Sequence, residues 1–100
     1  MKFTGIEIGM GTTRGLNSTR WTNVIIYLTK GGKFVAEVDN LTQWDGEHNF
    51  CDAKSFQTPQ EMFDWLRGDN TRLGSASQDA ITKAAIVNAE IDIAFAETVE

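Results

Sequence analysis

The sequence predicts an α+β domain: an antiparallel sheet of three to four strands with two helices packed on one face, in the order β-β-β-β-α-α. Three observations predict it. Two β-rich runs, Thr22 to Lys30 and Lys33 to Asn40, flank Gly31-Gly32, the signature of a hairpin. Thr58-Pro59-Gln60-Glu61 is a helix start, with Thr58 as the cap, Pro59 at the first helical position and Glu61 closing a capping box. From Ser75 or Ser77 towards Val99, apolar residues recur at helical spacing.

Lys2 to Met10 alternates loosely, with Phe3, Ile6 and Ile8 apolar, and predicts the first strand, with Gly5 marking a bulge or an edge. Gly9 to Arg20 is rich in Gly, Thr, Ser, Asn and Arg and predicts a loop, longer than most connections inside a compact domain. The Gly-Gly turn suits type I′, which needs positive φ at both central residues. With two residues in that turn, Ile25, Tyr27, Phe34, Ala36 and Val38 share one face of the hairpin, and Val24, Ile26, Leu28, Val35, Glu37 and Asp39 share the other. Neither face is then wholly polar.

Leu41 to Asn49 holds an Asp45-Gly46 turn signal and predicts a connection, and the alternation in Phe50 to Phe56 predicts a short fourth strand. The first helix carries Met62, Phe63, Leu66 and Trp65 on its apolar side and ends at Gly68. In the second, longer helix Ala80, Ala84, Val87, Ile91, Ala94 and Phe95 form the stripe expected to face the sheet. Ile86, Ala89, Ile93 and Ala96 lie nearly opposite, and this second apolar stripe is either a contact with another chain, such as self-association through Ile86 and Ile93, or a set of residues simply exposed.

One hundred residues make a single domain, 1–100, and at this size folding buries roughly 60–70% of the surface of the unfolded chain. The net charge of −5 disfavours direct contact with nucleic acid, which needs a basic patch; it fits a basic partner better, and it is equally the charge of a protein kept soluble. The single cysteine, Cys51, excludes an internal disulfide. No signal-peptide pattern and no apolar run of membrane-spanning length is present, so the expected location is the cytosol and no membrane is expected as partner.

Chemistry is not expected. Gly9-Met10-Gly11 follows a strand, but Arg14 stands where a dinucleotide fingerprint needs its third glycine. His48 and Cys51 lack further ligands for zinc, and alternation on the strand is expected to bury Cys51. Asp45, Glu47 and Asp52 have no identifiable neighbour that would shift a pKa for acid catalysis. No catalytic residue, metal or cofactor is therefore assigned. Trp65 is expected in the core, while Trp21 and Trp44 flank the hairpin either as lids on the core or as contact anchors.

Several runs, in order along the chain, carry a resemblance: Met1-Lys2-Phe3, Asn23 to Tyr27, Gly32 to Asn40, Phe56 to Gly68 and Arg72-Leu73-Gly74. Together they resemble a family of small phage anti-CRISPR proteins that inhibit type I-F surveillance complexes. The resemblance implies a four-stranded antiparallel sheet with two helices, no catalysis, and docking on the crRNA-bound backbone subunits that blocks hybridisation of target DNA to the guide RNA, in the cytoplasm of the bacterial host. It also implies contacts made by the sheet: a tyrosine on the second strand, matched by Tyr27, an acid at the end of the third, matched by Asp39, and a tyrosine on the first strand, whose place is taken by Ile6. Glu37 adds a second acid near Asp39. A two-residue turn places Tyr27 and Asp39 on opposite faces, so a shared docking face requires a bulge or another turn.

Overall fold

The computed structural model describes residues 5–15, 19–43, 46, 49–68 and 73–98. Its elements are β1 (Gly5–Thr12), β2 (Arg20–Thr29), β3 (Phe34–Thr42), β4 (Phe50–Phe56), α1 (Pro59–Arg67), α2 (Ser75–Val87) and α3 (Ala89–Thr98). The strands form one antiparallel sheet in the order β1-β2-β3-β4, which is the α+β class the sequence predicts. Among the described residues there are three helices where two were expected.

The register of the hairpin is set by burial. Leu28 pairs with Phe34, Ile26 with Ala36 and Val24 with Val38, so six apolar side chains gather on one face under the helices. A two-residue turn would have split them between faces, and a slip of one residue moves a whole set to the wrong side. The observed turn is longer. The Thr29 N–H donates to the Lys33 carbonyl, the Gly32 N–H to the Thr29 carbonyl, and the Lys33 N–H to Thr29 Oγ1. Only Gly32 of the two turn glycines has positive φ, at 84°, so the expected type I′ turn is replaced by a tight turn followed by a left-handed glycine.

The expected loop from Gly9 to Arg20 is strand as far as Thr12; of the bulge or edge expected at Gly5, β1 is an edge of the sheet, and its bulge falls between Glu7 and Gly9. Gly9 and Gly11 are a seat for α2. A Cβ on Gly9 would lie 2.1 Å from the Ala80 carbonyl oxygen, and one on Gly11 1.9 Å from that of Ala76. The Gly-Met-Gly triplet therefore serves backbone-to-backbone packing, with alanines on the facing side of the helix.

The start of α1 follows the sequence: the Glu61 N–H donates to Thr58 Oγ1, Pro59 opens the helix, and Gly68 with φ 60° closes it. Trp65 is half-buried against Phe56 rather than enclosed in the core. The expected single long helix breaks at Asn88, whose backbone is extended and whose Oδ1 accepts from the Ile91 N–H as the cap of α3. Gly74, not Ser75 or Ser77, precedes α2, and Ser77 is buried. The break also turns Val87, expected to face the sheet, out to 67% exposure, while Ala80, Ala84, Ile91 and Ala94 are buried as expected.

One core joins the inner sheet face to all three helices. α2 lies along β1 and β2, α1 along β3 and β4, and α3 packs on α1 and α2, with Phe95 edge-on to Phe63. The expectations for Lys2 to Thr4, Trp44, Asp45, Glu47, His48 and the stretch 69–72 lie outside the described residues.

A candidate docking surface on the open face of the sheet

The side of the sheet away from the core cluster is built from the alternate positions of four strands. Register places Glu7 and Met10 of β1, Asn23, Ile25 and Tyr27 of β2, Val35, Glu37 and Asp39 of β3, and Cys51, Ala53 and Ser55 of β4 on this side. Tyr27 has Glu7 beside it on one flank and Val35, which is buried, on the other, while the half-buried Glu37 and Asp39 follow along β3. The same register that fills the core thus brings the predicted site residues Tyr27, Glu37 and Asp39 together. Among the described residues the strand positions on this face carry three acids and no lysine or arginine.

Electrostatics bind these residues into one cluster. Burial raises the Tyr27 pKa, and the charges of Glu37, Glu7 and Asp39 raise it further. Burial also raises that of Glu37, followed by its hydrogen bond with the Asp39 side chain and the Asp39 charge. Asp39 stands opposite Cys51, and the hydrogen bond between them, with burial and the nearby acids, pushes the thiol up to about 11. Asp39 Oδ1 is nonetheless buried with no hydrogen-bond partner. A buried acceptor without a donor is costly, and an incoming cation or N–H would relieve it.

Cys51 is exposed, contrary to the expectation of burial: the alternation is as read, but its side of the strand has no helix over it among the described residues. One ligand atom each from Glu37, Asp39 and Cys51 falls within 4.8 Å of the others. They amount to three donors, short of the four that a structural zinc site takes.

Ile6 does not join this face. It pairs with Leu28 on the helix side and is 66% exposed, beside an apolar depression of about 300 Å³ that also takes in Gly5, Leu28, Thr29 and Lys30. Glu7, one residue on, occupies the open face next to Tyr27 instead, and sequence reading did not single it out. Parity alone could not have found it: without the bulge between Glu7 and Gly9, the pairing of Gly9 with Ile26 would continue as Ile8 opposite Tyr27. At the far end of the face Trp21, paired with Leu41, lies half-buried with the Arg14 guanidinium 4.2 Å from its ring centroid.

Ile86 and Ile93 are exposed at 80% and 61%. They belong to different helices, and the shallow depression beside Ile86 is shared with Thr82, Ala85, Asp92 and Phe95 rather than with Ile93. Among the described residues no helix is long and apolar enough to cross a membrane.

The chain is thus a two-layer α+β domain whose second sheet face, uncovered by helix among the described residues, is acidic and carries a tyrosine. Compared with family models, with curated proteins and with solved structures, it matches none.

Proposed function

We propose that this chain is a non-catalytic phage or mobile-element protein that inhibits a type I CRISPR surveillance complex, of type I-F. It docks the open face of its sheet on the crRNA-bound backbone subunits and blocks hybridisation of target DNA to the guide RNA, in the cytoplasm of the bacterial host. The observation that carries the reading is the hairpin register, in which Tyr27, Glu37 and Asp39 occupy one face instead of two. A subunit that holds RNA displays lysines and arginines, and a face with three acids and no base among its described strand positions complements such a surface. Tyr27 supplies flat apolar area with a hydroxyl at its tip, and the unpartnered Asp39 Oδ1 supplies an acceptor already desolvated. Nucleic acid is not itself the ligand on this reading, because the acids repel phosphate. Where the resembled family has a first-strand tyrosine, Glu7 and Tyr27 stand side by side here, and Ile6 takes no part.

Co-purification of the chain with a type I-F complex tests the proposal. Tyr27→Ala and Asp39→Ala are expected to lose the complex with their folds intact, and Ile6→Ala to keep it. Failure of the unaltered chain to bind any type I complex overturns it. The exposure of Ile86 and Ile93 supports a second reading, a small interaction domain that self-associates through its C-terminal helices. Sedimentation then shows a dimer that Ile93→Asp dissociates.

A further inference from the structure

β4 ends the sheet. It pairs with β3 alone, so its far edge has no ladder among the described residues. Every residue of the strand except Ala53 and Phe56 is exposed, and Phe50 is 61% exposed. A row of free N–H and C=O groups on a strand without proline is a template for another strand. The opposite edge, β1, is a poorer template, because the bulge between Glu7 and Gly9 breaks its ladder.

The sequence of β4, Phe-Cys-Asp-Ala-Lys-Ser-Phe, is nearly symmetric about Ala53. A phenylalanine stands at each end, a small polar side chain inside each, and opposite charges flank the centre. We propose that two copies of this chain join edge to edge through antiparallel β4 strands, with a two-fold axis at Ala53, to make one continuous sheet across a dimer. In this register Asp52 faces Lys54 of the second copy, and the two-fold repeats the pair. Phe50 faces Phe56, and Cys51 faces Ser55. Asp52 and Lys54 both lie on the helix side of the sheet, opposite Val38 and Ala36, so the pairs share one face. Neither makes an ion pair among the described residues.

Charge also selects the register. An axis moved one residue either way sets Asp52 against Asp52 or Lys54 against Lys54, and like charges directly opposite are destabilising. Asp52 and Lys54 are residues of the kind that protect an edge from pairing, yet here their order makes them complementary to a second copy of the same strand. The interface runs along the β4 border of the docking face proposed above, sharing Cys51, Ala53 and Ser55 with it but not Tyr27, Glu37 or Asp39, and it uses neither Ile86 nor Ile93.

The test uses the purified chain alone, by sedimentation at the concentrations of an NMR sample, and so does not depend on the docking proposal. The unaltered chain is expected to dimerise. Asp52→Lys and Lys54→Asp, each alone, are expected to weaken the dimer by on the order of tenfold or more, since each turns two attractions into repulsions. Mixing the two variants is expected to restore a dimer made of one of each, which also shows that both are folded. Ser55→Cys is expected to give a disulfide-linked dimer through Cys51 of the second copy on mild oxidation, with none from the unaltered chain. A monomeric unaltered chain, a dimer indifferent to both charge variants, or a dimer abolished by Ile93→Asp overturns the proposal.

Discussion

Asp39 faces Cys51 across β3 and β4, and the carboxylate, by accepting from the thiol and by its charge, is the chief reason the Cys51 pKa stands at about 11. Exposure alone would make this cysteine reactive, but the thiolate is the nucleophile and the acid disfavours it. At about pH 8 an unperturbed cysteine, with a pKa of about 8.5, has a substantial thiolate fraction. Alkylation of Cys51 by iodoacetamide is expected to be roughly tenfold slower than that of a free cysteine, the greater basicity of its thiolate offsetting part of the smaller fraction. Asp39→Asn is expected to speed it. A Cys51 that alkylates at the free rate in the folded chain would show that the two side chains do not meet.

Glu37 carries a proton more tightly in the folded chain than in the unfolded one, through burial first and then Asp39. The native state therefore binds more protons between the two pKa values, and stability falls as pH rises through that window. The deficit is complete above the folded pKa and absent below the unfolded one. Glu37→Gln is expected to stabilise the protein at neutral pH by a few tenths to about 1 kcal/mol, the scale of a like-charge contact on a sheet, and to change little in acid. Urea denaturation at a series of pH values reads this directly, and equal effects at every pH would contradict it.

Gly11 and Ala76 fix the distance between β1 and α2. No rotamer change can make room for a Cβ 1.9 Å from a helix carbonyl oxygen, because the obstacle is backbone. Gly11→Ala is expected to cost roughly 1–3 kcal/mol by pushing the helix off the sheet. Gly31→Ala, with nothing within 4 Å of its Cβ, is the matched control. Thermal denaturation of the two variants decides it.

What could be read from the sequence was whatever chemistry is local. The Thr58 cap, the Pro59 start and the Gly68 stop act within one turn of chain, and β4 needed only its own alternation, so their bounds are as expected. Register was not local: whether Tyr27 sits with Asp39 depended on which side chains the helices would cover, and that fact belongs to α1, α2 and the sheet together. Asn88 was legible as a cap residue but was hidden by the apolar spacing that continues across it. The glycines of β1 looked like loop residues because their purpose, the approach of α2, lies more than sixty residues along the chain. The open face was half visible. Its tyrosine and two acids were named from the sequence, while Glu7 needed the position of the bulge.

The turn that decides this register can be tested at its two glycines. In a type I′ turn both central residues have positive φ, and both would resist substitution by an L-residue. Here only Gly32 does, at 84°, while its N–H donates to the Thr29 carbonyl. Gly32→Ala is expected to cost roughly 1–2 kcal/mol, the penalty of a side chain in left-handed backbone. Gly31→Ala meets open space and ordinary backbone, so it is expected to be neutral or to stabilise by up to about 1 kcal/mol through the unfolded state. Equal losses at the two positions would restore the two-residue turn, put Tyr27 and Asp39 on opposite faces, and remove the shared docking surface.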